Sequence, residues 1–251
     1  MLRTFFSAVV IFACSASFAL ADPKDDISAA IQKLKDAGSY TWTATIDSQG
    51  GFSMTGTTQG QIQSDGTLSV TNNFTFGDNT RTMQFIKKGD AFAVKTEDGW
   101  QSPDDLANAG GGGRFRGGMM RNFQAPASQM LDLVDKLQNI QIADGVYTAD
   151  LNDDGAKQAL MFGGRRRNAD GGGPDISNAK ASIKIWITDG ALTKTVLHAT
   201  GTVSFNGNDN DVDRTTTTEF KNIGSTTVDI PPEAAAKMAA PSTQPAPAPQ
   251  Q

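Results

Sequence analysis

The chain has 251 residues, of which 38% are hydrophobic, and its 27 acidic residues outnumber its 22 lysines and arginines. A net charge of −5 argues against general nucleic-acid binding, so we expect no nucleic-acid partner. The one cysteine, Cys14, lies in the N-terminal segment. A mature chain from which this segment has been cleaved would have no cysteine, which excludes an internal disulfide, a cysteine-ligated metal site and a cysteine nucleophile.

Residues 1–21 have the pattern of an export signal. Arg3 supplies the positive charge, residues 5–12 form the apolar region, and Ala19-Leu20-Ala21 is a small-x-small cleavage site. Cys14 is also a weak match to a lipidation signal, which stays as the alternative. No second long apolar run follows, so the mature chain is expected to have no transmembrane segment. The pattern predicts an exported protein, periplasmic or extracellular and soluble after cleavage.

The first predicted element is a helix capped by Asp25 or Asp26 and ending near Gly38. Its apolar residues follow at helical spacing, at Ile27, Ala30, Ile31 and Leu34. The period then changes to two, which is typical of a strand with one apolar and one threonine face. The apolar residues of that strand are Tyr40, Trp42, Ala44 and Ile46.

Short strand-like runs with turn residues between them continue the chain. The runs cover residues 54–63, 66–76, 81–88 and 91–96. Sequences such as Ser64-Asp65-Gly66 and Gly77-Asp78-Asn79 supply the turns. Because the spacing is short and regular, we expect an antiparallel meander.

Two helical segments are predicted in the second half. Residues 128–140 return to helical period, with Met130, Leu133, Val134 and Leu137 on one face. After a strand around residues 145–149, Asp153 or Asp154 caps a short helix that runs to Leu160. The last third is again β, in strands over about 183–187, 192–205, 212–222 and 226–230.

These elements predict a mainly β (α+β) domain. A curved antiparallel sheet of about ten strands, each with one apolar side, forms an unclosed barrel with helices in its concave face. We expect the domain to span residues 22–230. The last 21 residues hold six of the ten prolines, so 231–251 is predicted to be a disordered Pro/Ala-rich tail.

Three stretches resemble one known superfamily. They are Gly38-Ser39-Tyr40-Thr41-Trp42-Thr43-Ala44, Phe92-Ala93-Val94-Lys95 leading to Gly99-Trp100, and Val228-Asp229-Ile230-Pro231-Pro232. Together with the order of elements over about 24–232, they resemble the lipoprotein-localisation carrier superfamily (LolA-like). The resemblance implies an unclosed barrel that holds acyl chains between sheet and helices. No position matches the family's functional arginine or proline-rich lid loops, so no binding residue is carried over.

Two Gly/Arg-rich loops, near residues 109–122 and 163–173, interrupt this pattern. Arginine binds phosphate or carboxylate in a bidentate manner, and glycine lets backbone N–H groups approach an anion. One interpretation places these arginines on lipid headgroups at a cavity mouth; the other makes the loops solvated surface insertions. The candidate anion or headgroup contacts are Arg114, Arg116, Arg121, Arg165, Arg166 and Arg167.

No motif indicates catalysis, so we expect a protein that is not an enzyme, with no catalytic residues. The single histidine, His198, lies on a threonine-rich strand face without a nucleophile motif. Residues 150–155 copy half of a calcium loop, but position twelve is Met161 instead of glutamate. We therefore predict no metal site and no cofactor, and keep a carboxylate-based hydrolase as a remote alternative.

The first functional hypothesis is a cell-envelope protein that binds a lipid, acyl chain or other amphiphile between sheet and helices. The expected partners are a lipid or lipidated molecule and an envelope protein. The competing hypothesis is a ligand-free periplasmic interaction or sensor module that acts through its Gly/Arg loops. The residues predicted to line the hydrophobic groove are Trp42, Ile46, Phe74, Phe76, Phe85, Phe92 and Met130.

Overall fold

The fold is described from a computed structural model over residues 22–50, 54–108, 120–161, 174–205 and 207–239. The predicted export signal, most of both Gly/Arg-rich loops and residues 240–251 lie outside the described residues. The same holds for the side chains of Phe76 and Phe205.

Eleven antiparallel strands form a single sheet over the described part of the chain. They are β1 Tyr40–Gly50, β2 Met54–Ile62, β3 Leu68–Phe76, β4 Asn79–Lys88, β5 Ala91–Thr96, β6 Gly99–Gln101, β7 Leu137–Ala143, β8 Val146–Leu151, β9 Asp175–Thr188, β10 Ala191–Phe205 and β11 Asn208–Lys221. Their order is β6-β5-β4-β3-β2-β1-β11-β10-β9-β8-β7, so β6 and β7 are separate edges and the barrel is not closed. The predicted fold class is confirmed.

Five helices accompany the sheet in the described residues. They are α1 Pro23–Asp36, α2 Pro103–Asn108, α3 Pro126–Val134, α4 Asp153–Leu160 and α5 Pro232–Ala239. The first, third and fourth bury their apolar residues in one core with the sheet, and α4 packs against β9 and β10. The last helix, α5, packs on β5 and β6 in a second, smaller cluster.

Helix α1 forms where the apolar spacing predicts it, but its cap is different. Asp22 accepts a hydrogen bond from the backbone N–H of Lys24, and Pro23 opens the first turn. Asp25 and Asp26 therefore lie in the first turn, where their negative charges stabilise the helix N-terminus instead of capping it. The predicted apolar stripe from Ile27 to Leu34 is fully buried.

Strand alternation gives the sheet two chemically different faces. On β1 the even-numbered residues from Trp42 to Ser48 face the helices, and the odd-numbered residues, Thr41 to Asp47, face away. The registers extend these faces from strand to strand, because paired residues lie on the same side. We call the two faces concave and convex. The concave face carries the core.

Two glycines of β2 make room for aromatic rings on the concave face. A methyl group at Gly60 would overlap the indole of Trp42, its cross-strand partner on β1. A methyl group at Gly56 would meet the ring of Phe74, its partner on β3. The rings therefore lie directly over the β2 backbone, which only glycine permits.

The second predicted helix is shorter than the sequence indicates. The prediction of helix over residues 128–140 is wrong after Val134, because Leu137 begins β7. Asn139 adopts a left-handed conformation, φ 52°, inside a bulge of that strand. Leu137 and Ile140 still pack on the core, so their apolar spacing alone does not separate a helix from a bulged strand.

Three other boundaries differ from prediction. Asn152, rather than Asp153 or Asp154, caps α4 by accepting from the N–H of Gly155 at 2.9 Å. Residues 226–230 form no strand. The folded part extends past residue 230, because α5 seats Ala234 against Ile86, Ala93 and Trp100. Helix α5 forms here because proline is favoured in the first turn of a helix and alanine is favoured in its interior.

We predict that Gly60→Ala destabilises the protein by about 1–3 kcal/mol, since the new methyl group displaces the indole of Trp42. Gln59→Ala, on the exposed face of the same strand, is the matched control and is expected to stay within about 0.5 kcal/mol of wild type. Denaturant unfolding measures both variants. Equal stability of the two would show that the glycine is not required by the ring.

Candidate functional site

The concave face is made of rows of cross-strand neighbours that run across the sheet. Two rows at the end nearest α3 are largely buried, and they belong to the core. The row through Trp42 consists of Phe220, Trp42, Gly60, Val70, Phe85 and Val94. Ring contacts reinforce it, since Phe123 meets Phe85 edge-on at 5.1 Å between ring centres.

Tyr40 fixes α3 on this end of the sheet. The hydroxyl oxygen of Tyr40 accepts a hydrogen bond from the backbone N–H of Ala127 at 3.4 Å, in the first turn of α3. Burial raises the pKa of Tyr40 to about 12, so the phenol stays neutral. The contact positions α3, and with it the buried Met130, against the sheet.

The middle of the concave face is only half-buried, although much of it is apolar. We call this surface the trough. One row of cross-strand neighbours on β10, β11, β1, β2 and β3 forms the trough. Two residues of the next row, one on β1 and one on β4, widen it. The trough consists of Leu197, Thr216, Ile46, Gly56 and Phe74, with Ala44 and Met83 beside them.

A buried arginine lies in the row that adjoins one side of the trough. Arg214 lies two residues before Thr216 on β11, pairs with Ser48 of β1 and Ala199 of β10, and is only 7% exposed. Its guanidinium donates a hydrogen bond to the backbone carbonyl of Ala159 near the end of α4. Burial lowers the pKa of Arg214, because the charged form loses hydration.

Helix α4 can lie close to Arg214 because its buried residues are small. Gly155, Ala156 and Ala159 are buried, which lets the helix approach β9 and β10 closely. A methyl group at Gly201 of β10 would stand 2.6 Å from a side-chain carbon of Leu160. The bond from Arg214 therefore joins a closely seated helix to the sheet.

An open depression of about 400 Å³ lies at the rim beyond Arg214. It is lined by Gln49, Gly50, Asn178, Thr200, Gly201, Thr202, Asp211, Val212 and Asp213. Gly50, Val212 and Gly201 form the concave row next to the row of Arg214. Val212 is buried and Leu160 lies against Gly201. Most of the lining side chains belong to the convex face, so the depression opens mainly on that side of the rim.

The residues predicted to line a groove divide into two groups. Trp42, Phe85, Phe92 and Met130 are buried in the core with α1 and α3. The other two whose side chains are described, Ile46 and Phe74, lie in the trough. Contact of any of them with a ligand stays a prediction.

Of the six arginines predicted to meet an anion, the structure describes Arg121. It is exposed, and its backbone carbonyl accepts a hydrogen bond from Lys87 Nζ. Arg114, Arg116, Arg165, Arg166 and Arg167 lie outside the described residues. Sequence reasoning missed Arg214. Alternate residues of a strand face the same side, so Arg214 lies on the same face as the apolar residues Val212 and Phe220. This alternation is the sequence feature that could have identified it.

Other candidate groups lie on the convex face. His198 Nε2 is 2.8 Å from Asp213 Oδ1, and both side chains are exposed. Lys194 Nζ lies 5.5 Å from the ring centre of Trp186. The calcium-like segment 150–155 is the end of β8 and the cap of α4. Within the described residues, no three histidine, cysteine or acidic side chains are grouped for a metal ion.

Helices in the described ranges are short, and none is long and apolar enough to cross a bilayer.

Comparison with protein-family models finds no match, and comparison with curated proteins finds none. An S-type phycobiliprotein lyase from Guillardia theta is similar in structure at 5% identity and a TM-score of 0.24, covering 78% of this chain and 95% of that chain. A LolA superfamily protein from Nitrosomonas europaea has 10% identity and a TM-score of 0.27, covering 83% and 94%. The open antiparallel sheet with helices packed on its concave face agrees with the architecture that the LolA-like resemblance implies.

We predict that Arg214→Gln loosens α4, because a hydrogen bond from a charged donor to the Ala159 carbonyl is lost. Hydrogen exchange is expected to show the opening free energy of α4 amides falling by about 1.5–3 kcal/mol. Arg81→Gln, at an exposed arginine of β4, is the control and leaves α4 unchanged. Unaltered exchange in Arg214→Gln would show that the bond does not hold the helix.

Proposed function

We propose that this protein binds a lipid, an acyl chain or another amphiphile in the trough between its curved sheet and its helices. The observation that carries the proposal is the half-buried apolar surface in the middle of a concave face whose neighbouring rows are buried. Large apolar side chains in contact with solvent inside a concavity favour a ligand that removes them from water.

The trough is long enough for an extended hydrocarbon chain. From Leu197 to Phe74 its row crosses five strands, which at about 4.8 Å per strand spacing corresponds to about 19 Å. Each methylene buried there contributes about 0.8 kcal/mol, so a modest chain gives a measurable affinity. Thr58 and Asn72, which hydrogen-bond at 2.7 Å between their side chains, lie beside the apolar row with their polar groups paired.

The setting of this function is the cell envelope in our proposal. Residues 1–21 direct export, and the mature chain is periplasmic or extracellular, with anchoring at Cys14 as the alternative. The arginines of the Gly/Arg-rich loops contact headgroups or an envelope partner. We propose a binding protein instead of an enzyme.

One observation favours the alternative, a ligand-free interaction module. Most of the concave face is already filled, because α1 and α3 bury Trp42, Phe85 and Phe92 in the same core. A module of this kind would act through its Gly/Arg-rich loops and leave the trough to solvent. The two functions therefore differ in what happens at the trough.

We predict that Ile46→Glu abolishes binding of a fluorescent long-chain amphiphile, because it places a charge on the trough floor. Thr45→Glu is the matched control, since the neighbouring side chain points to the exposed convex face, and its affinity stays at the wild-type level. Fluorescence titration measures both, and thermal melts compare their stabilities.

A second variant changes affinity in the opposite direction without inserting a charge. Thr216→Val keeps the side-chain shape and removes a hydroxyl from the trough row, so affinity for a neutral amphiphile is expected to rise severalfold. The proposal fails if wild type does not bind the probe, or if binding is indifferent to Ile46 and Thr216.

A further inference from the structure

A pair of polar side chains lies among the apolar residues in the middle of the concave face. Thr58 of β2 and Asn72 of β3 are cross-strand partners, and the Thr58 hydroxyl donates a hydrogen bond to Asn72 Oδ1 at 2.7 Å. Their own row continues to Ala44 on one side and to Met83 on the other, and both of these residues widen the trough. Phe74 of the trough row lies two residues beyond Asn72 on the same strand. The pair is therefore bordered by the trough.

The amide nitrogen of Asn72 is the donor that this arrangement leaves available. The residue is only 6% exposed, and among the described residues its amide nitrogen has no hydrogen-bond partner. No described side chain has a nitrogen or oxygen that is both buried and unpartnered, so this nitrogen reaches solvent. The opening is toward the trough, because Val70 and Phe85 on the other side are fully buried. Polar groups in apolar surroundings normally have partners, so a ligand that fills the trough is expected to supply one.

We propose that Asn72 recognises the acyl linkage of the ligand, by donating a hydrogen bond from its amide nitrogen to the carbonyl oxygen of an ester or amide. This inference rests on the proposed function and adds the ligand's chemical class, an acyl chain joined to its head through an uncharged carbonyl linkage. A neutral donor pairs with a carbonyl without leaving a charge buried. The bond from Thr58 to Oδ1 fixes which end of the amide is left to the ligand.

The sheet edge beside Asn72 gives the head of such a ligand a way out of the trough. Strand β5 pairs with β4 only over Gln84–Lys88, so among the described strands β4 is the edge of the sheet from Met83 onward. Residues 79–82 of β4 are exposed. Asn72 is one strand inside that edge, since Met83 is its cross-strand partner. The acyl chain thus extends from β3 toward Leu197 on β10, and the head leaves across β4.

The test compares three probes of equal chain length on the full chain: the methyl ester of a long-chain fatty acid, its N-methyl amide, and the alkyl methyl ether that lacks the carbonyl. Isothermal titration below the aggregation concentration of each probe gives the affinity for each carbonyl probe relative to the ether. Asn72→Leu is expected to lower this ratio about fivefold for at least one carbonyl probe, because one neutral hydrogen bond is lost. The probe with the larger fall identifies the linkage that the site accepts.

Asn73→Leu is the matched control. Asn73 is the next residue of β3 and lies on the convex face, where its Oδ1 accepts a hydrogen bond from the Thr82 hydroxyl at 2.7 Å. It therefore makes the same bond as Asn72 away from the trough, and the wild-type ratio is expected. Ether affinity in Asn72→Leu is expected to equal or exceed that of wild type, because leucine makes the site more apolar, and this result shows that the variant is folded.

A second measurement needs no variant. Infrared spectroscopy of the tighter-binding carbonyl probe, isotope-labelled at its carbonyl carbon, reports hydrogen bonding directly, because a bond to the carbonyl oxygen lowers its stretching frequency. The band of the probe bound to wild type is expected to lie below the band of the same probe in an apolar solvent. The shift is expected to disappear in Asn72→Leu and to persist in Asn73→Leu. If Asn72→Leu does not fold, the band in wild type decides.

The results that overturn the inference differ from failure of the proposed function. Carbonyl-to-ether ratios that do not change in Asn72→Leu, or that fall equally in Asn73→Leu, overturn the role of Asn72 alone. A bound carbonyl band at its position in apolar solvent does the same. In these cases binding of the ether by wild type still supports the proposed function. Absence of binding by all three probes overturns the proposed function, and the inference with it.

Discussion

The pairing of β1 with β11 is the interaction on which the rest of the structure depends. Each half of the chain forms its own local meander, β1–β6 and β7–β11, and the register from Thr41–Lys221 to Gly50–Val212 joins them. The trough crosses this junction, since Ile46 and Phe74 come from one half, and Thr216 and Leu197 come from the other. A one-residue slip would turn every one of those β11 and β10 side chains to the convex face.

Helices then decide which part of the concave face becomes core. Tyr40 and the buried aromatic row anchor α3 at one end, while α4 lies over β9 and β10 at the other. The apolar surface between them stays half-buried. Two glycines of β2 let Trp42 and Phe74 lie directly over the backbone. Trp42 belongs to the core at one row, and Phe74 belongs to the trough at another. This surface stays half-buried because the covering helices are short.

Most of the sheet could be predicted from the sequence, because alternation of apolar residues and turn chemistry are local signals. The sequence could not predict that Trp42 and Phe85 are buried in the core instead of lining a groove. Periodicity identifies the apolar face of a strand, but it does not show which element covers that face. The bulge at Asn139 gives the apolar residues of β7 a spacing that is also typical of a helix, so the sequence predicted a helix there. The burial of Arg214 could not be predicted for a third reason. A single arginine among threonines is usually exposed, and only the strand register shows that this one lies on the concave face.

The central claim is that the trough holds a hydrocarbon chain. The most direct measurement is an isotope-filtered NMR experiment on the protein with methyl-labelled isoleucine, leucine and methionine, in complex with the methyl ester of a long-chain fatty acid. The account predicts nuclear Overhauser contacts from the chain to the methyl groups of Ile46, Met83 and Leu197, and none to Ile31 or Leu192, which are fully buried in the core. Contacts that avoid the trough methyl groups would contradict it.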